Sequence, residues 1–314
     1  MPGMSQSYCC LAGIFAFTKK FTRHKTRALS KIGDEDNIEL KEIHIVRSEL
    51  TALSSKLATY VVSGEQTKAE AMLKLNPGLS MQATEVTDYS DRTFTNISAF
   101  EYALWALDIH MLRMIISTIP HTNAGAIIAE KLLEKFEMSI QRGVTYTVAG
   151  HSPVTEGYFS LEPLKTAYKA YFDAYDAEDV EDSINAAWLN IGKCQRNLPA
   201  VVAQYYCDQD VPFATCHDFK SVSFRQRSLK FYNHFTRSND SWFSGRLGLD
   251  FAILSGARRQ GACVISVCAG RNGGRNDLET IVALDTARIK EIQIIKENLT
   301  QLLHDLRQVP TPHC

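Results

Sequence analysis

Glycine and proline are scarce in this sequence. The 314 residues include 17 glycines and 9 prolines, about 8% of the chain against roughly 12% in an average protein. Collagens and turn-dense β-sandwiches need more of both residues, so these classes are disfavoured. With 45% hydrophobic and 22% charged residues, the composition is typical of a folded protein, and we expect a mainly helical one.

An excess of charge of either sign is also missing. The 34 Lys and Arg residues nearly balance the 35 Asp and Glu residues, which argues against a dedicated nucleic-acid-binding protein. The charges are nevertheless segregated. Eight acids and two lysines lie between Glu156 and Asp182, whereas ten cations and two acids lie between Lys220 and Arg275. We expect these segments either to neutralise each other across the fold or to face different partners.

Cysteine spacings typical of metal sites and long apolar runs are absent as well. The eight cysteines are irregularly spaced and no Cys-x2-Cys occurs, so we expect reduced thiols and no metal site. The apolar run from Cys9 to Phe17 is about half the length that a bilayer crossing needs. We therefore expect no transmembrane segment, and acylation of Cys9 and Cys10 is the alternative route to a membrane.

Apolar residues recur at helical spacing over most of the chain. This periodicity predicts helices over 37–62, 67–75, 99–107, 109–119, 124–140, 161–175, 180–194, 198–207 and 276–307. Short segments with strand-like sequences lie on both sides of residues 88–91. They predict two extended segments joined by a turn, which we call the finger. Within residues 143–157, apolar or aromatic residues alternate with threonines before Pro153. This pattern predicts a small hairpin or an exposed loop.

These breaks divide the chain into four predicted segments. They are an irregular or disordered start (1–34), helical hairpins (35–143), a junction loop (144–157) and a helical C-terminal domain (158–314). Within the last segment, residues 208–275 mix Gly, Arg and aromatic residues with little periodicity and predict an irregular insertion with small β elements. The segment from Gly270 to Arg275 predicts a surface loop. Arg288 interrupts an otherwise apolar seam in the closing helix.

The residues from Ser98 to Ala103 occupy the position of the motif that opens an ankyrin repeat. Ala103 supplies the small residue between paired helices, and the apolar segment from Met111 to Ile116 fills the second helix. Residues 98–116 therefore resemble an ankyrin unit, with Leu107 where glycine is expected. The resemblance implies ankyrin-like hairpins in the N-terminal half, with a plain helical bundle as the alternative.

Three longer strings resemble the ankyrin-type effectors that Legionella injects into host cells. They run from Asp88 to Phe94, from Phe100 to Asp108 and from Trp242 to Ala252. The similarity extends over about residues 60–305 and implies delivery by a type IV secretion system and action in the host cytoplasm. None of the strings is a catalytic signature, so we assign no catalytic residue and expect no cofactor.

Two classes of function are consistent with these features. The first is an interaction module that binds a host protein. Its predicted contact residues are Tyr89, Arg92, Trp105, His110 and Arg113. The second is an enzyme, or a domain that binds phosphoinositides or other anions, in the C-terminal half. Its predicted anion-binding residues are Arg225, Arg227, Arg258, Arg259, Arg271 and Arg275.

Overall fold

The computed structural model describes residues 35–178, 180–208, 229–233, 236–254, 263–264 and 271–308, with residues 211, 213 and 219. Side chains are described from Arg47 onward, except at residues 263–264 and 271–272. The fold is mainly helical with a few short strands, which confirms the predicted class. The predicted irregular start at residues 1–34 lies outside the described residues.

Helices make up most of the described chain. They are α1 (Glu35–Val62), α2 (Gln66–Leu75), α3 (Ala99–Trp105), α4 (Ile109–Ser117), α5 (Asn123–Arg142), α6 (Glu162–Asp176), α7 (Glu181–Arg196), α8 (Ala200–Cys207) and α9 (Arg271–Gln308). Their bounds lie close to the predicted ranges, with one correction. The predicted loop from Gly270 to Arg275 is helical from Arg271 onward. Gly273 and Gly274 let this first turn approach Leu254 and Phe172, and such packing outweighs the low helix propensity of glycine.

The strands form two four-stranded sheets. The first is antiparallel and contains, in spatial order, β1 (Ala83–Thr87), β2 (Arg92–Ser98), β3 (Val144–Val148) and β4 (Val154–Glu156). The second has the order β6-β5-β8-β7 and consists of β5 (Lys230–Asn233), β6 (Ser238–Ser241), β7 (Ile253–Leu254) and β8 (Cys263–Val264). The predicted finger is the β1–β2 hairpin. The segment predicted as a junction forms the β3–β4 hairpin, which extends the same sheet.

Buried apolar side chains form two clusters. The first joins α1 to α5, the first sheet and the C-terminal part of α9. The second joins α6 to α8, the second sheet and the N-terminal part of α9, including Ile281 and Leu284. One continuous helix therefore contributes to both clusters, and the predicted domain boundary at 144–157 stays a prediction. No helix in the described ranges combines the length and the hydropathy needed to cross a bilayer.

Residues 98–117 form a helix–turn–helix unit at the predicted position. Ser98 and Glu101 build a capping box at the start of α3. Leu107 adopts the left-handed conformation, with φ of 52°, which glycine normally occupies in such turns. Asp108 then caps α4 by accepting a hydrogen bond from the Met111 N–H at 3.0 Å. The neighbours of α3 in the described residues include α1, α5 and the 3₁₀ turn at 77–81.

Candidate functional site

A buried ion pair holds the turn of the β1–β2 hairpin. Arg92 Nε donates to Asp88 Oδ2 at 2.8 Å, and Arg92 Nη2 lies 2.7 Å from the same oxygen. The other carboxylate oxygen of Asp88 accepts from the backbone N–H groups of Ser90, at 2.9 Å, and Arg92, at 3.2 Å. Tyr102 also donates to Asp88 Oδ2, at 3.2 Å. These bonds fix the conformation of the turn.

The turn is hydrogen-bonded to the C-terminal end of α7. Arg92 Nη1 donates to the carbonyl oxygen of Asn197 at 2.8 Å, and Ser90 Oγ donates to that of Arg196 at 3.0 Å. Carbonyl groups at a helix C-terminus lack helical partners and carry a partial negative charge, so they suit a guanidinium group. Hydrogen bonds that span about a hundred residues thus join the finger to the C-terminal half.

Aromatic rings surround the guanidinium group of Arg92. Its central carbon lies 4.9 Å from the ring centroid of Trp105 and 5.1 Å from that of Phe159. Trp105 Nε1 donates to Glu156 Oε1 at 3.1 Å, and the Tyr146 hydroxyl donates to the same oxygen at 2.9 Å. Burial, together with Glu156, raises the pKa of Tyr146 to about 12.

The predicted partner contacts of Arg92 and Trp105 need a correction. Both side chains are buried, because the ion pair and the aromatic rings enclose them. Neither offers surface to a partner in this structure. They support the turn that carries Tyr89 instead.

Tyr89 is the exposed aromatic residue of this turn. Its side chain is 47% exposed and stacks on Phe243 with 4.7 Å between ring centroids. The loop that carries Phe243 packs on α7, where Gly248 lies against Gly192 so closely that a Cβ atom on either residue would meet backbone within 2.5 Å. We use the name Tyr89 surface for exposed and half-buried residues of the segments that meet here: the turn, the C-terminal end of α7 and the Phe243 loop. They are Tyr89, Lys193, Arg196, Phe243 and Leu249.

His110 and Arg113 lie elsewhere, on α4. His110 Nε2 lies 3.1 Å from the hydroxyl oxygen of Tyr205 on α8. Arg113 donates a hydrogen bond to Glu291 on α9. The structure therefore does not bring these two predicted contact residues to Tyr89. They belong to a polar junction between the two hydrophobic clusters.

Arg288 on α9 is the most buried cation of this junction. Its side chain donates from Nη2 to the carbonyl oxygen of Ala106 at 2.6 Å. Burial lowers the pKa of Arg288 to about 10, against the opposing effects of Asp285, Tyr205 and Asp108. We use the name polar junction for the following side chains: Asp108, His110, Arg113, Lys165, Tyr205, Asp285, Arg288 and Glu291. The charge at position 288 in an apolar seam was the sequence signal for this site.

Of the predicted anion-binding arginines, Arg275 has a described side chain. Its Nη2 lies 3.3 Å from Asp176 Oδ2, and its guanidinium group lies 5.8 Å from the Phe172 ring centroid. Asp176 belongs to the acidic segment, so at this position the arginine is paired internally. Arg225, Arg227, Arg258 and Arg259 lie outside the described residues. Arg271 lies in α9, but its side chain is not among those described.

The described side chains include two free thiols, Cys194 and Cys207. Burial raises the pKa of the Cys207 thiol well above its usual value, which opposes thiolate formation. Within the described ranges, no group of three or more His, Cys, Asp or Glu side chains is placed to bind a metal ion.

Fold and site together define a mainly helical protein with an aromatic surface on a clamped turn and a buried polar junction. Residues 163–299 match the family described as the CBUA0006 C-terminal domain. Over 266 residues the chain is 34% identical to the "Uncharacterized protein CBUA0006" of Coxiella burnetii (strain RSA 493 / Nine Mile phase I), a match that covers 79% of this chain and 75% of that protein. The chain therefore belongs to the family of this Coxiella protein.

No solved structure matches the chain significantly. The comparisons give no evidence of ankyrin repeats. The matched C-terminal domain contains nearly all of α6, α7 and α8 and most of α9. It therefore includes five residues of the polar junction: Lys165, Tyr205, Asp285, Arg288 and Glu291. Tyr89 lies outside this domain.

Proposed function

We propose that this protein is a secreted bacterial effector that acts in the host cytoplasm as a protein–protein interaction module. The observation that carries the proposal is the exposed ring of Tyr89, stacked on Phe243 at the tip of a clamped turn. Tyrosine provides a large contact area, and a ring that is already immobilised loses little conformational entropy on binding. A family member in Coxiella burnetii supports a bacterial origin.

The α3–α4 unit has a supporting role in this proposal. Its left-handed Leu107 and buried Ala103 suit an ankyrin-like hairpin. Tyr102 and Trp105 on α3 contact the ion pair and its ring of aromatic side chains. The unit therefore stabilises the turn, and the contact with a partner falls to the Tyr89 surface.

Proximity labelling in host cells tests the interaction. Wild type, Tyr89→Ala and Tyr158→Ala are each expressed as a fusion to a labelling enzyme. Tyr158 is a matched control because its side chain is 41% exposed and lies outside the Tyr89 surface. We expect Tyr89→Ala to label one or a few host proteins at least ten-fold less than wild type does. Tyr158→Ala should label the same proteins as strongly as wild type. Identical labelling by all three proteins contradicts the proposal.

Delivery is tested separately. The full chain is fused to a reporter enzyme that is active only in host cytoplasm, and expressed in bacteria with or without a functional type IV secretion system. We expect a reporter signal from the first strain alone. Equal signals from both strains, or none from either at equal expression, contradict the secretion proposal and leave the interaction test unaffected.

A further inference from the structure

Arg288 lies where α9 passes from one hydrophobic cluster to the other. Leu284, one turn before it, belongs to the second cluster, and Ile292, one turn after it, belongs to the first. Arg288 is only 2% exposed at this position. An arginine can rarely be buried to this extent unless its charge is paired and its N–H groups are hydrogen-bonded.

The hydrogen bonds of Arg288 are incomplete. Its Nη2 is bonded to the Ala106 carbonyl oxygen. Its Nε and Nη1 have no hydrogen-bond partner in the part of the chain that the structure describes. A guanidinium group has donors and no acceptor, so only a partner with acceptor oxygens can satisfy these N–H groups.

The nearby carboxylates are engaged with other groups. Asp285 accepts from Lys165 at 2.8 Å, and Glu291 accepts from Arg113. Asp108 accepts from the Met111 N–H at the start of α4. Each of these three acids thus commits one oxygen to another group. Neither Nε nor Nη1 of Arg288 donates to any of them in the described part of the chain, so both are open to an additional acceptor.

We propose that the polar junction binds a compact oxyanion, a small carboxylate or a phosphate group, on the free donors of Arg288. Planar guanidinium groups suit these ligands because they present N–H groups at the spacing of carboxylate and phosphate oxygens. The three acids of the junction balance its three cations, Arg113, Lys165 and Arg288. A compact ligand of low charge is therefore favoured over a polyanion.

Two residues of the polar junction on α4 lie closer to the surface than Arg288. The side chain of Arg113 is 40% exposed, and His110 is half-buried. Arg113 is hydrogen-bonded to Glu291, and His110 contacts the hydroxyl group of Tyr205. Both residues therefore contact groups that lie near Arg288. This site is independent of the Tyr89 surface, so a failure of one proposal does not affect the other.

Thermal unfolding in different salts tests the proposal. Wild type, Arg288→Met and Arg246→Met are heated in sodium acetate, sodium phosphate and sodium chloride at equal ionic strength. Arg246 is a matched control because it is exposed and paired with Asp250. We expect acetate or phosphate to raise the Tm of wild type and Arg246→Met by about 2–4 °C over chloride. Arg288→Met loses this shift. Acetate and phosphate separate a carboxylate site from a phosphate site.

A second expectation distinguishes a ligand site from a structural arginine. In chloride, Arg288→Met has a Tm equal to or above that of wild type, because methionine keeps the apolar stem and removes a buried charge with unsatisfied donors. If Arg288→Met does not fold, Arg288→Lys carries the test, and a loss of at least half of the anion-dependent shift supports the site. No specific shift in wild type, or a full shift in the folded Arg288 variants, overturns the proposal.

Discussion

At the scale of single residues, buried charge decides which side chains reach the surface. Tyr89 and Arg92 are three positions apart, yet one is exposed and the other is enclosed. The ion pair of Arg92 with Asp88 and its bond to Asn197 explain this difference. A sequence pattern identifies polar and aromatic residues together, but it does not show which of them find partners inside the fold.

The ion pair leads to a stability prediction. Asp88→Asn leaves the buried guanidinium group of Arg92 without its counter-charge, so we expect the free energy of unfolding to fall by about 3–5 kcal/mol. Asp91→Asn is the matched control, because Asp91 is exposed and asparagine tolerates its left-handed φ of 59°. Urea unfolding at neutral pH measures both variants. Equal stability of the two would refute the structural role of the pair.

The raised pKa of Tyr146 predicts a dependence on alkaline pH. The folded state holds the phenolic proton up to about pH 12, whereas an unfolded tyrosine releases it near pH 10. This group therefore contributes stability that is fully present below pH 10 and is lost as the pH rises towards 12. We expect wild type to lose stability faster than Tyr146→Phe over this range, as measured by urea unfolding. Parallel pH profiles would contradict the prediction.

At the scale of elements, local periodicity and long-range pairing behave differently. The helices and the β1–β2 finger follow from the sequence because spacing and turn residues act over a few positions. The second sheet does not, because β5 pairs in parallel with β8 across about thirty residues and such register is set by tertiary packing. The predicted start of α9 at residue 276 was wrong for the same reason, because tertiary packing of Gly273 and Gly274 allows the helix to begin earlier.

The contact between α7 and the Phe243 loop gives a second stability prediction. A Cβ atom on Gly192 would lie 2.5 Å from the carbonyl oxygen of Phe251, so Gly192→Ala forces two backbone segments apart. We expect a loss of about 1–3 kcal/mol and weaker stacking of Phe243 on Tyr89. Gly157→Ala is the control, since nothing lies within 4 Å of its added Cβ. Thermal melts of both variants check this, and unchanged stability of Gly192→Ala would mean that the loop packs differently.

At the scale of the whole molecule, α9 connects the two hydrophobic clusters. Hydrogen bonds between distant segments are also present at the finger, at His110 and at Arg288. A helix shared by two cores couples their unfolding, because neither cluster keeps its contacts when the helix leaves. Two-state unfolding of this chain is therefore expected despite its length.

Substitutions in each cluster test this coupling. Leu284→Ala and Leu299→Ala remove fully buried side chains from different clusters, and each should cost about 2–5 kcal/mol. We expect both variants to shift one common unfolding transition, followed by far-ultraviolet circular dichroism and tryptophan fluorescence. Ile289→Ala, on an exposed position of the same helix, should change stability by less than about 0.5 kcal/mol. Two separate transitions, each sensitive to one variant, would contradict the coupling.

The amino-acid sequence by itself determined the helical class, most helix positions, the finger and the unusual charge at Arg288. Tertiary structure decided what these elements do. It buried Trp105, separated Tyr89 from His110 and Arg113, and joined Arg92 to Asn197 and Arg288 to Ala106. The physical reason is distance along the chain: helical periodicity acts within about one turn, whereas the partners of these polar groups lie 105 and 182 positions away.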